Sequence, residues 1–336
     1  MKVWWLASSV WTLTLWLAVF AAALLILQPK LHERSKLLSF LCHFALAVPF
    51  IALSSRFLVN DTSIVHVAAY GGAALPLKYR FAATWAAREG PILLWVLWMS
   101  LLSWIWRKPL SGENVEVEQG PSAHQLRLRL VHGFSLLLLI ISLTLDPFKV
   151  NEYNWLGQGL NELLQTDLMV IHPPLIFLSY SLCLHIAAIS ISSFYSSDRQ
   201  ELDSRILTVA RPALFFTTLG VGLGGLWAYL ILDWGGYWAW DPVETGSFLP
   251  WLALVVNVHL RTRPGKVSEN MWMGSGLVAG GLAIFATLVT RSGGVWASSV
   301  HTFVVNDGGT PPSEVFGRFM VLRDGSAGVE VISYLM

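Results

Sequence analysis

The sequence predicts an all-α, polytopic integral membrane protein of about eight transmembrane helices with an aromatic loop facing outward. Three observations carry this. Hydrophobic residues make up 54% of the 336-residue chain and charged residues 13%, mean hydropathy is +0.57, and the apolar residues fall in long blocks rather than in alternation. Eight blocks are long enough for a hydrocarbon core of about 30 Å, which takes roughly 20 helical residues. Lys and Arg gather in alternate connections between the blocks, the asymmetry that orients a membrane protein.

The first block, near residues 3–27, has only Lys2 ahead of it and outruns the short core of a signal peptide, so it reads as a retained helix. The second and third lie near 37–59 and 89–107. The fourth, near 124–145, carries Arg127 and Arg129 in its first turns, where snorkelling to the headgroups is expected. The fifth, near 173–194, opens on Pro173-Pro174. Proline suits a helix start and disfavours α geometry in its predecessor, which puts His172 at the outer mouth of that span. The sixth lies near 206–232. The seventh, 242–260, has a clear start signal: Asp241 as N-cap, Pro242 in the first helical position and Glu244 to reach back. The eighth lies near 271–290.

Lys30, Arg34, Lys36, Arg107, Lys108, Arg127, Arg129, Arg199, Arg205, Arg211, Arg261, Arg263 and Lys266 share one side, expected to be cytoplasmic or matrix-facing. Loops 60–88 and 146–172, the stretch around 233–244 and everything after Thr290 share the other. Residues 108–123 read as a solvated inner linker. Residues 313–336 are too broken by charge and glycine to span, so the expected organisation is one membrane domain over 1–312 and a tail of uncertain structure over 313–336.

A net charge of +1 with no basic run excludes a nucleic-acid surface. Cys42 and Cys183 sit inside apolar blocks and form no CxxC, so neither a dithiol pair nor a CxxCH haem attachment is encoded. Redox work would need a cofactor.

The densest chemistry is DWGGYWAWDPVE, residues 233–244. Trp227, Trp234, Tyr237, Trp238 and Trp240 would stand at headgroup level, where an ordinary aromatic belt is the plain alternative. A belt has no need of Gly235-Gly236 or of Asp241 and Glu244 in the same dozen residues. Those features fit a shaped surface for a large planar ligand such as haem. An iron needs axial ligands, and His172 and His301 are the histidines expected on the outer side, flanking the loop. His259 lies 17 residues past Pro242, roughly 25 Å along the helix at 1.5 Å per residue, near the inner boundary. It reads either as an interfacial residue or as one ligand of a second, intramembrane haem. His43, His132 and His185 lie within spans as candidate interhelical contacts, and His32, His66 and His124 read as loop or interface residues. Lys78, Arg80, Arg88 and Arg291 are the outward cations that could meet haem propionates.

WGGYWAWDPVE resembles the WWD signature of the haem-handling superfamily, and its surroundings resemble the CcmF/NrfE branch, the cytochrome c haem lyase component of System I maturation. ALPLKYRFAATWAAREGPILLW (74–95), GLNELLQTDLMVIHPPLIFLSY (159–180), RPALFFTTLGVGLGGLWAY (211–229), FLPWL (248–252) and TLVTRSGGVWASSVHTF (287–303) resemble blocks of that family in the same order. The resemblance implies haem b held at the loop between His172 and His301 on Trp234, Gly235, Gly236, Tyr237, Trp238, Trp240 and Asp241. It implies further that His259 supplies one ligand of a permanent b-type haem. Implied partners are a CcmE-like haem chaperone, a CcmH-like thiol protein and an apocytochrome c carrying CxxCH, in a bacterial inner membrane or, alternatively, a mitochondrial one.

Family members run longer and carry a second transmembrane histidine in further spans. A separate polypeptide supplying that half, a truncated copy and a structural relic without catalysis are the expectations for a chain of this length. A haem carrier or exporter without ligase activity is the alternative that the loop alone does not separate.

Overall fold

The computed structural model of the protein describes residues 10–116, 120–157, 159–231 and 236–291. Among these described residues eleven α-helices follow one another: α1 (Thr12–Leu27), α2 (Leu31–Arg34), α3 (Lys36–Val59), α4 (Val65–Tyr70), α5 (Leu77–Ala82), α6 (Glu89–Ile105), α7 (Ala123–Leu145), α8 (Asp167–Tyr195), α9 (Leu202–Ile231), α10 (Pro242–His259) and α11 (Glu269–Arg291). Among the described residues β-structure amounts to one isolated bridge between Ile64 and Val150 in the outer loops. The protein is all-α and polytopic. Helices α3, α7, α8, α9, α10 and α11 are long and apolar enough to cross a membrane, while α1 and α6 are apolar but shorter, at 16 and 17 residues.

Short polar side chains start these helices where the sequence changes from loop to apolar block. Ser35 accepts from the Leu38 amide before α3, Ser122 from Gln125 before α7, and Thr166 from Leu168 before α8. Asn60 and Asp146 close α3 and α7 in left-handed geometry, φ 54° and 47°, which their short polar side chains tolerate. The Asp241 carboxylate accepts from Val243 and Glu244 while Glu244 reaches back to the Asp241 amide, a full capping box with Pro242 in the first turn, as expected from the sequence.

Helices α1, α3, α6 and α7 pack as one group and α8 to α11 as another, joined by α8 against α6 and α7. The role of α8 shows in its burial: 78% of its most apolar 18-residue window is buried, against 28% for α9.

Four expectations change. First, α8 begins at Asp167 rather than Pro173, so His172 stands more than a turn inside the helix. Second, Arg127 does not snorkel. It is 2% exposed and its guanidinium donates to Glu113 Oε1 at 2.7 Å, to Glu113 Oε2 at 2.9 Å and to the carbonyls of Trp106 and Lys108. The apolar surroundings leave that charge no water, so a counter-ion is drawn in. Third, the counter-ion comes from 108–123, a stretch mostly exposed as expected but folded inward at one point. Glu113 is buried there against His124 of α7, and the Asn114 amide donates to Asp198 Oδ2 at 2.8 Å. Asp198 in turn holds the fully buried Arg205 of α9 at 3.2 Å. Fourth, His66 is buried, 3.4 Å from Glu89 between Phe57 and Tyr70, rather than at an interface with solvent.

Candidate functional site

A cavity of about 480 Å³ opens between the outer halves of α8, α9, α10 and α11, within the ~300–1,000 Å³ range of cofactor pockets. Its walls are mostly apolar, with His172, Trp85, Trp227, Trp238 and Glu244 as the polar-bearing side chains that matter below.

His172 reaches it from α8. Its Nδ1 lies 2.8 Å from the carbonyl oxygen of Gly220, and because a carbonyl only accepts, Nδ1 carries the proton and Nε2 the lone pair. A metal ligand held this way has its ring orientation and tautomer fixed from behind. The ring fits only because α9 is bare beside it: a Cβ on Gly224 would stand 2.8 Å from Cε1 of His172. Trp227 meets the same imidazole edge-on at 6.0 Å between ring centroids, and it is buried.

The proline pair inside α8 raises an accounting question. Pro173 has no N–H to give to the carbonyl four residues back, at Met169, and an orphaned buried carbonyl is costly. The indole of Trp85 supplies the missing donor, Nε1 to the Met169 oxygen at 2.9 Å. That contact allows the helix to start early despite its prolines.

The described part of the aromatic loop, from Gly236 onward, borders the cavity through Trp238. Tyr237 donates its hydroxyl to the Gly222 carbonyl at 2.6 Å and packs where a Cβ on Gly225 would lie 2.7 Å from its Cε1. Among the described residues the glycines that permit this close approach are on α9; at Gly236 an added Cβ would meet the Trp238 oxygen at 3.9 Å. Trp238, Trp240 and Phe248 form a mutually edge-on trio at 6.0 to 6.2 Å, and Phe248 stacks on Trp251 at 5.1 Å. Trp251 then donates to Thr218 Oγ1 of α9 at 2.9 Å. Phe248 and Trp251 extend the aromatic cluster by a turn of α10. Trp240, 67% exposed, holds φ at 56°, a left-handed conformation rare for so bulky a residue. Buried at the cavity wall, Trp238 Nε1 and Glu244 Oε1 have no partner among the described residues.

Trp234, Gly235, His301 and the side chain of Arg291 lie outside the described residues. Two of the cations considered for propionates are otherwise engaged: Arg80 donates to the carbonyls of Leu75, Leu58 and Ala73, and Lys78 pairs with Asp167. His259 is exposed at the inner end of α10, its Nδ1 2.7 Å from the Val255 carbonyl, beside the exposed Leu252 and Val256. His43 and His185 likewise bond to carbonyls of their own helices rather than across helices, and the His43 and His132 rings meet at 5.2 Å.

Residues 85–295 match the family described as Cytochrome C assembly protein. The chain belongs to that family. Its relatives include the cytochrome c-type biogenesis protein CcmF of Escherichia coli (strain K12), 35% identical over 282 residues, which are 82% of this chain and 42% of that one. The probable cytochrome c-type biogenesis protein NrfE of the same organism is 33% identical over 279 residues, 80% of this chain and 48% of that one. A solved structure titled Cytochrome c Heme Lyase CcmF shares the fold, with a TM-score of 0.66 and 22% identity over 98% of this chain and 51% of that chain. The chain spans about half the length of these family members. Trp85 and the α9 glycines fall within the family match, as do His172, His259 and the aromatic loop.

Proposed function

We propose that the chain acts in cytochrome c biogenesis by holding haem b against the aromatic loop, for transfer from a CcmE-like chaperone to the CxxCH of an apocytochrome c. The observation that carries this is His172, its Nε2 lone pair fixed by the Nδ1–Gly220 bond beside a largely apolar cavity. The unpartnered Trp238 Nε1 beside the aromatic cluster of Trp238, Trp240 and Phe248 supports an aromatic guest with polar edges.

In this reading His172 and His301 are the axial ligands, and Trp234, Gly235, Gly236, Tyr237, Trp238, Trp240 and Asp241 form the platform, with Arg291 toward a propionate. Bound haem would supply the iron and the vinyl groups that accept cysteine thiols. The chain's own contribution is orientation and exclusion of water around the reacting edge. His259, exposed on the face shared with Leu252 and Val256, would give one ligand to a second haem whose other ligand comes from a further polypeptide carrying the remaining half. A CcmH-like protein would present the apocytochrome thiols. The setting is a multi-pass protein of a bacterial inner membrane, with the mitochondrial inner membrane as the other possible host.

A pyridine haemochrome measurement on purified protein tests this. Haem is expected at the outer site in the wild type and lost in His172→Ala and in His301→Ala. Retention of the full haem content in both variants would remove the outer site from consideration.

A further inference from the structure

We infer that Trp85 is a positioning residue for His172, acting through the carbonyl of Met169 that Pro173 leaves without a helical donor. Four observations combine. Pro173 follows His172 directly and removes the N–H that would close the turn onto Met169. Trp85 Nε1 donates to that same oxygen at 2.9 Å, across 84 positions of sequence, and both residues are buried, at 4% and 4% exposure. Trp85 is itself fixed, edge-on to Phe81 at 5.0 Å and stacked on Phe50 at 6.5 Å. Trp85, Met169, His172 and Pro173 all line the same cavity.

The turn 169–172 therefore hangs from the rest of the protein by an indole, and the imidazole's height in the cavity follows from it. His172 is pinned twice, by Gly220 behind the ring and by Trp85 through the backbone. Trp85 does not ligate anything in this scheme. Its consequence for haem rests on the function proposed above, but its effect on the turn does not.

The test is a double-mutant cycle on the full-length protein in nanodiscs. Trp85→Phe deletes the donor, while Pro173→Ala restores an N–H to the Met169 carbonyl from within the helix. Amide hydrogen exchange is read for the peptide over 167–176. Trp85→Phe alone is expected to speed exchange of the Ile171 and His172 amides about tenfold, the change that one net hydrogen bond of roughly 1.4 kcal/mol produces. In the Pro173→Ala background the same substitution should change it less than about twofold. Equal acceleration in both backgrounds would mean that Trp85 only packs, and would overturn the inference, as would no acceleration at all. If Trp85→Phe fails to fold, β-(3-benzothienyl)alanine at position 85 keeps the indole's shape without its N–H and reads the same cycle. In haem-loaded protein the low-spin absorption and midpoint potential should move in Trp85→Phe and return in the double variant. A wild type that binds no haem would sink the function proposed above and leave the exchange cycle intact.

Discussion

Gly224 and His172 are so close that a methyl group on the glycine would lie 2.8 Å from Cε1, 3.3 Å from Nδ1 and 3.4 Å from Nε2 of the imidazole. Contacts under 3.0 Å force something to move, and here the mover is the proposed ligand. Gly224→Ala should raise the apparent Kd for haem at least tenfold in a titration followed by absorbance. An alanine in mid-helix is otherwise favourable by roughly 0.5–1 kcal/mol, so the variant should fold at least as well as the parent away from the cavity. Haem affinity unchanged by this substitution would show that the imidazole does not sit as described.

Trp240 offers a separate test because backbone strain and ligand surface oppose each other there. Its φ of 56° costs of order 1 kcal/mol for a residue with a Cβ, a cost glycine does not have. Trp240→Gly should therefore leave thermal stability unchanged or slightly raised while weakening haem binding. A loss of stability without loss of haem would reverse both assignments.

Glu113 gives a pH signature. Burial raises its pKa, but hydrogen bonds from Arg127 and His124 and the Arg127 charge outweigh that, bringing it down from 4.5 to about 2. The folded-state value lies below the unfolded one, so the stabilisation is complete above pH 4.5 and fades as pH falls toward 2. The shift corresponds to about 3 kcal/mol. Glu113→Gln should flatten the acid limb of a plot of Tm against pH. It should also destabilise the protein at neutral pH by about 3–5 kcal/mol, because Arg127 then stays buried without its counter-ion.

His259 should behave as a residue outside the outer site. Its ring bonds to the Val255 carbonyl at the far end of α10 from Asp241. His259→Ala should leave outer-site haem content and Tm within error of wild type. Any effect should emerge only once a partner chain is bound, as a lost b-type absorption band.

What the sequence disclosed was local. The start of α10 is legible because Asp241, Pro242 and Glu244 lie within four residues and their roles depend on one another alone. The start of α8 is not, since the proline rule is overridden by a donor 84 residues away. Arg127 fails in the same way: its partner Glu113 sits in a stretch whose composition looks solvated, and only the folded loop brings the two together. His172 stands out by its place beside two prolines. Gly224 and Gly225 do not, because a run of glycines in an apolar helix has many possible causes. Phe248 and Trp251 are visible in FLPWL, yet their turn of α10 must be built before they join Trp238 and Trp240 in one surface.

The two buried ion pairs, Arg127 with Glu113 and Arg205 with Asp198, are laced to each other by the Asn114 amide. Each guanidinium is kept from water by the same fold that brings its carboxylate, so the two clusters stand or fall with one another, and a mutation in either acid should be felt by the other through the backbone of Asn114.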